Sequence, residues 1–389
     1  MFDCHMIDFL DHLEGSAGPA ARVRHRPSHR GLLVQPGIVQ PADVSAIAVP
    51  TNRDAATMRD SLRLAEELGR PLVALCSQWS LVERVLREAR AFEVTVVVVD
   101  VAGATQLPKF RCDVLVAPMR GLTRLNDVSL KRNLSLAVAR MLRWRRLAFL
   151  DDDITDLSAD AIRAAGGMLS RHNVAALENV GFPDNSVVCH TRREVGMLQD
   201  TFVGGGAMAV RVNQRTPFFP AVYNEDWFFL VGRRAVERVA VCGKVSQREY
   251  DPYLSPERAR SEEFGDCLAE GLFALSEQDR PAEAADEAYW RAFLDDRILM
   301  IDDILERLAA TPPNERRHRM AQALRVARGR CRIIDPAFCV RYLAAWRADL
   351  DVWKRFLAGL PVIDDPVAAF AHLGLKAYVH PARSRRPGP

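Results

Sequence analysis

Between Val44 and Asp153 the sequence alternates apolar runs of strand length with stretches of helical period, and few folds accept that pattern. The runs are VSAIAVP (44–50), PLVALC (71–76), VTVVVVD (94–100), DVLVAP (113–118) and RLAFLDDD (146–153). Between them lie ATMRDSLRLAEELG, SLVERVLREARAF and NDVSLKRNLSLAVARMLRW, and in the last Leu130, Leu134, Val138 and Met141 recur at helical spacing. Ser80 with Glu83 has capping-box spacing ahead of one helix, and Gly69 stands where another should end. Strands apolar on both faces with helices between them predict an α/β fold around a doubly wound, mostly parallel sheet. In such sheets ligands bind beyond the carboxyl ends of the strands.

The rest of the chain divides by pattern. Residues 1–43 hold one short amphipathic segment and then AGPAARVRHRPSHR, which has no apolar period and reads as a partly mobile arm. A catalytic domain is expected over 44–254. Within it residues 160–250 are less regular, with extended pieces at Val203–Val212 and Val239–Val245. From Ser255 to residue 380 the chain turns helical, with TPPN (311–314) breaking two helices, and ARSRRPGP is a polar tail over 381–389. The helical region could shape a pocket or pair two subunits into a homodimer; its periodicity does not choose.

Composition excludes several classes. The net charge of +3 is small and the arginines are interspersed with acids, so nucleic acid is not an expected partner. The most apolar stretch, Val94 to Val99, is far shorter than the ~20 residues a bilayer demands, and no membrane span is expected. MFDCHMIDFLDHLEG lacks the cationic start of a secretory signal. The cysteines form no C-x-x-C pair, and several sit inside apolar runs, which points to a reducing, cytoplasmic setting.

The sharpest chemical signal is Asp151-Asp152-Asp153, placed directly after the apolar strand LAFL. Three carboxylates repel one another, so gathering them at a strand end is costly unless a cation neutralises them. Hard oxygen ligands on a turn suit Mg²⁺ or Mn²⁺, which complete their shells with water and substrate phosphate. A rival reading uses the same residues. Asp151-x-Asp153 after a strand also fits the nucleophile and acid/base of a haloacid-dehalogenase-like phosphatase. That chemistry needs a further acidic pair at another strand end, whereas Asp295–Asp296 and Asp302–Asp303 lie in a helical pattern.

Taken in order, several segments resemble the GT-A glycosyltransferases over about Val44 to Tyr253. AVPTNR (48–53) resembles the first strand and loop of that family, and FLDDD (149–153) resembles its metal-binding DxD motif. The resemblance implies a donor site of Pro50, Thr51, Asn52, Arg53, Asp100, Lys131, Arg132, Asn133, Asp151 and Asp152, with Asp100 at the base or ribose and the 131–133 segment facing the diphosphate-sugar. VGGGAMAVR (203–211) resembles the strand flanking the acceptor, which implies acceptor contacts from Gly204, Gly205, Gly206 and Trp227. NEDWFF (224–229) resembles the segment that supplies the catalytic carboxylate. Asp226 would then take the acceptor's proton, with Glu225 as the fallback. The expected partners are a nucleotide-diphosphate sugar and a small-molecule or glycan acceptor; the expected cofactor is Mn²⁺ or Mg²⁺ on Asp151 and Asp153.

The sequence departs from that pattern in one place. Where many retaining members carry a late histidine ligand, this chain reads VSQREYDPY (245–253), so Gln247 or Asp251 substitutes, or the aspartates and phosphates suffice. His190 is a further candidate to face the site. Asn224 reads as a helix cap followed by acids that suit the helix dipole. A nucleotidyltransferase on a related fold is the remaining alternative, but it calls for a glycine-rich basic loop after the first strand, where this chain has PTNRDAATM.

Overall fold

The computed structural model describes residues 25–26, 28–35, 37, 39–103, 105–119, 122, 127–182, 186–200, 203–231 and 239–382. The strands are β1 (Leu33–Val34), β2 (Ala46–Thr51), β3 (Leu72–Cys76), β4 (Val96–Asp100), β5 (Arg146–Leu150), β6 (Ile154–Thr155), β7 (Val174–Asn179), β8 (Ala207–Arg211), β9 (Val239–Gln247) and β10 (Lys376–His380). The sheet runs in the order β1-β9-β7-β8-β5-β2-β3-β4-β10, with β6 paired to β9. The fold is mixed α/β and the sheet largely parallel: β8 runs antiparallel to both β5 and β7, and β10 antiparallel to β4.

Alternation along one strand shows why the sheet is covered on both sides. In β2, Ala46 and Ala48 pack into one core while Ile47 and Val49 pack into the other. Successive side chains point to opposite faces, so a strand buried on both must be apolar throughout. On one face lie α1 (Arg59–Leu68), α2 (Val82–Ala89) and α5 (Ala159–Met168). On the other lie α4 (Val128–Met141) and the C-terminal helices α8 (Pro256–Glu277), α9 (Glu287–Ala309), α10 (Glu315–Cys331) and α11 (Pro336–Gly359). Gly69 ends α1 in the left-handed conformation (φ 62°), as its place in the sequence predicts.

Three expectations are corrected. DVLVAP forms part of a helix, α3 (Arg111–Val116), with Cys112 and Val116 one turn apart on its buried side and the Asp349 carboxylate accepting from the Cys112 amide at 2.8 Å. A short apolar run does not separate a strand from a buried helix, and here the packing partner decides. Ser80 does not cap α2; Leu81 holds that position without a side-chain bond. Residues 376–380, counted with the helices, return to the sheet as its edge strand. Of the arm, residues 1–24 lie outside the described residues; in the described part β1 joins the sheet beside β9, and His29 is buried at 3% exposure.

His29 explains that docking. Its Nε2 lies 3.2 Å from a Glu270 oxygen and its Nδ1 3.2 Å from a Glu277 oxygen, both on α8. Burial alone would lower its pKa, but hydrogen bonds and charge from Glu270 and Glu277 outweigh it and raise it to about 9. The unfolded imidazole titrates near 6.5. The stabilisation is therefore complete below the unfolded value and is lost as pH rises through the folded one. Urea unfolding between pH 6 and pH 9.5 should show a loss on the order of 3 kcal/mol from this group, and His29→Asn should flatten that part of the profile.

Candidate active site

The carboxyl ends of the parallel strands converge on the turn after β5. The Asp151 amide donates to the Gly206 carbonyl at 2.9 Å, which fixes the turn against the start of β8. Asp151 is partly exposed and receives Arg132 Nη2 at 2.9 and 3.1 Å. Asp152 is buried, accepts the Thr51 hydroxyl at 2.7 Å and pairs with Arg53. Asp153 receives Arg53 Nη2 at 3.0 Å and the Gln247 amide nitrogen at 3.3 Å. Burial raises the Asp153 carboxyl above the usual range, with Arg53 opposing it. Adjacent carboxylates are thus held together by guanidinium groups from two other elements.

Arg132 reaches this turn from α4. It is buried, and its other terminal nitrogen donates to Glu225 at 2.7 Å; Glu225 is the first residue of α7 (Glu225–Leu230). The glycine run makes the bridge possible. A Cβ on Gly205 would lie 2.4 Å from the Arg132 guanidinium, and Cβ atoms on Gly204 and Gly206 would crowd Asp226 and Asp151 at 3.1 and 3.3 Å. Asp226 in turn accepts the Gly205 amide at 2.6 Å and the Trp227 amide at 2.9 Å, one bond per oxygen, which leaves lone pairs on both.

Two neighbouring spaces adjoin this turn, and Arg132, Glu225 and Gly205 border neither. The larger, about 460 Å³, is bounded by Pro50, Thr51, Asn52 and Arg53 after β2, by Lys131, by Asp151–Asp153 and Gln247, and by Tyr223, Tyr250 and Arg258. The smaller, about 90 Å³, shares Tyr223, Gln247 and Arg258 with it and holds Gly204, Gly206, Asp226 and Trp227. Lys131 offers less than its position promises: its ammonium already donates to the Thr51 carbonyl (2.8 Å) and to Ser77 Oγ (2.7 Å) and pairs with Asp127 at 2.8 Å.

Other candidates lie elsewhere or are turned away. Asn133 is buried and exchanges two 2.8 Å bonds with the backbone of Phe219, which makes it a clamp on the segment before α7. Asp100 accepts the Ala102 amide at 3.0 Å and does not border the larger space. Trp227 stacks on Phe273 with centroids 4.4 Å apart. His190 is buried against Phe182 and Tyr250, and burial together with Arg258, Arg193 and Arg316 lowers its pKa to about 3, so it is neutral. Asn224 sits at the start of α7 in the left-handed conformation (φ 58°) and makes no cap, donating instead to Asp266 at 2.9 Å. Asp251 borders the larger space but is engaged by the Tyr253 amide and by Arg319.

Gln247 reaches the aspartate turn from β9. Asn179 accepts from the Gly181 amide through Oδ1 and donates through Nδ2 to the Phe182 carbonyl, which fixes its orientation. The same Nδ2 donates to Gln247 Oε1, so Gln247 turns its nitrogen towards Asp153. The acid pairs a phosphatase would need lie away from this turn, Asp302 pairing with Arg328 and Asp303 with Arg307 on the α9 surface.

The aspartates fit a hard dication in donor chemistry, since every ligand they offer is a carboxylate oxygen. Arg53 is a stand-in cation, its guanidinium held by Asp152 and Asp153 together. Among the described residues, Glu263, Cys267 and Cys331 are the three whose ligand atoms already converge, and there Arg297 and the two thiols satisfy the Glu263 carboxylate.

The sequence reading overlooked Tyr223, Tyr250, Arg258, Ser261 and Glu262, which also border the larger space. The last three lie on α8. The available signal is Gly265 inside that helix, where a Cβ would meet the Tyr223 carbonyl oxygen at 2.2 Å.

No protein-family model and no curated protein matches the chain. Among solved structures, a mannosyltransferase from Pyrobaculum calidifontis in complex with GDP-Man and Mn²⁺ aligns with it at 15% identity and a TM-score of 0.40, over 88% of this chain and 91% of that one. A likeness that distant decides neither fold family nor activity. Among the described residues, no helix is long and apolar enough to cross a membrane.

Arg132→Met leaves Glu225 and Asp151 without their shared cation, and urea unfolding should show a loss of roughly 3–5 kcal/mol. Adding Glu225→Gln should recover most of it, because the buried charge leaves with its partner.

Proposed function

We propose that the chain is a GT-A-type glycosyltransferase that moves a sugar from a nucleotide-diphosphate donor to an acceptor hydroxyl, with a divalent ion at the aspartate turn. The observation that supports this best is the pairing of spaces. A polar one is lined by Asp151–Asp153 and Arg53 at the carboxyl ends of parallel strands, and a smaller one that shares Tyr223, Gln247 and Arg258 with it holds Asp226. A diphosphate needs counter-charge and an acceptor hydroxyl needs a base, and the two spaces supply them in that order.

In this reading Asp151 and Asp153 hold Mn²⁺ or Mg²⁺, and the ion supplies offsetting charge for the departing diphosphate. Pro50, Thr51, Asn52 and Arg53 border the nucleotide, and Arg132 keeps the Asp151 carboxylate oriented. Asp226 accepts the proton of the acceptor hydroxyl as that oxygen bonds to the anomeric carbon. The bond from that carbon to the diphosphate oxygen breaks, and its electron pair leaves with the nucleoside diphosphate. Attack from the face opposite the leaving group inverts the anomeric centre. Gly204 and Gly206 border the acceptor's space, Gly205 makes room for Arg132, and Trp227 forms part of the acceptor's wall.

Donor hydrolysis and nucleotide calorimetry test this together. Asp226→Asn should lower turnover by about 10²–10⁴ while leaving nucleoside-diphosphate affinity intact. Changing Asp151 and Asp153 together to Asn should remove the divalent-dependent part of donor affinity; donor affinity that keeps its response to Mn²⁺ in that variant would refute the reading.

A further inference from the structure

The two guanidinium groups at the aspartate turn differ in how they are held. Arg132 is 2% exposed and wedged between Asp151 and Glu225 beneath Gly205. Arg53 is 48% exposed, leaves the loop after β2, and holds Asp152 and Asp153, whose side chains are 3% and 10% exposed. Arg53 also borders a second surface space of about 390 Å³ with Asn52, Asp54, Gln78, Trp79 and Arg84. It stands on the wall between the two, and its flexible stem lets the head swing from the carboxylates towards solvent without moving the backbone.

We propose that Arg53 is a resident counter-ion of Asp152 and Asp153, and that a dication and a nucleoside diphosphate displace it together. This rests on the reading of the site as one for a nucleotide diphosphate and a divalent ion. A dication alone must expel a guanidinium from two nearly buried carboxylates and leave it facing only Asp54, an exposed acid already paired with Arg84. A diphosphate arriving beside Arg53 offers the paired oxygens that a guanidinium fork engages best, so it draws the side chain off. Asp153, so released, carries uncompensated charge in a poorly solvated place and takes the dication together with Asp151, while Asp152 keeps the Thr51 hydroxyl. The two ligands are therefore coupled, and each must raise the affinity of the other by the same factor.

Arg53→Gln tests this directly, because it removes the occupant and leaves the carboxylates. Mn²⁺ binding to the full chain is followed by calorimetry and by the spin-resonance signal of free Mn²⁺, with GDP or UDP present or absent, after allowance for Mn²⁺ held by free nucleotide. In the natural protein saturating nucleotide should tighten Mn²⁺ about tenfold or more. Arg53→Gln should bind Mn²⁺ alone about tenfold tighter than the natural protein does, and nucleotide should tighten it further by a smaller factor than in the natural protein. Thermal melts give a second readout: Mn²⁺ alone should raise the melting temperature of Arg53→Gln more than that of the natural protein, because the variant lacks the internal cation. Arg53→Lys, which keeps a charge without the fork, should fall between the two. Equal Mn²⁺ affinity in the natural protein and Arg53→Gln, with nucleotide still binding both, overturns the counter-ion role alone. If neither GDP nor UDP binds the natural protein with or without Mn²⁺, the reading of the site falls, and this inference with it.

Discussion

A guanidinium with almost no access to water has to be matched by carboxylates, and the two that match Arg132 come from different parts of the chain. One is Asp151, at the end of β5; the other is Glu225, which opens α7. The ion pairs tie α4, the turn after β5 and α7 into one body, so Asp226 keeps a fixed relation to the aspartate turn. Removing any one of these charges strands the others in a poorly polarisable interior, which is why the arrangement acts as a unit. Gly205 is part of the same constraint, since no side chain fits between that backbone and the guanidinium.

The helical region extends this logic. Helix α8 buries Glu262, Glu263, Asp266 and Glu270 on its inner side, and each is matched: Glu262 by Arg258, Glu263 and Asp266 by Arg297, Glu270 by His29. Asp266 also receives Asn224, the residue before α7. The left-handed backbone at Asn224 is sterically disfavoured for a non-glycine residue and persists because its surroundings hold it. Gly265 lets α8 press against the backbone of Tyr223 and the side chain of Asp266 grips Asn224. Helix α8 is thus a wall of the site.

Much of the α/β pattern was legible because burial on both faces leaves a strong mark: β2, β3, β4 and β5 each read as near-continuous apolar runs. The aspartate turn was legible for a related reason, since three like charges after such a run require an explanation. What the sequence concealed was pairing across distance. Lys131, Arg132 and Asn133 are consecutive, yet one is spent on the backbone and Ser77, one bridges two carboxylates, and one clamps Phe219. Helical spacing alone cannot separate those fates, because they depend on what each side of α4 meets. The partners of the α8 acids are equally hidden in the sequence, since Arg297 and His29 come from other segments of the chain. DVLVAP misled because an apolar segment of that length satisfies a strand and a buried helix equally.

The cations around the aspartates differ in what they are free to do, and burial orders them. Lys131 has its donors committed to the chain itself, and Arg132 is enclosed, so both contribute a constant field. Charges in that setting interact strongly and are poorly screened by salt. Arg53 has nearly half its side-chain surface in water and only two partners, so exchanging them costs far less than moving Arg132 would. A site that must take up and release a polyanion needs a fixed part to keep its geometry and a mobile part to adjust its charge. Here the division falls along the boundary between interior and solvent, with the fixed cations on α4 and the mobile one on the loop that follows β2.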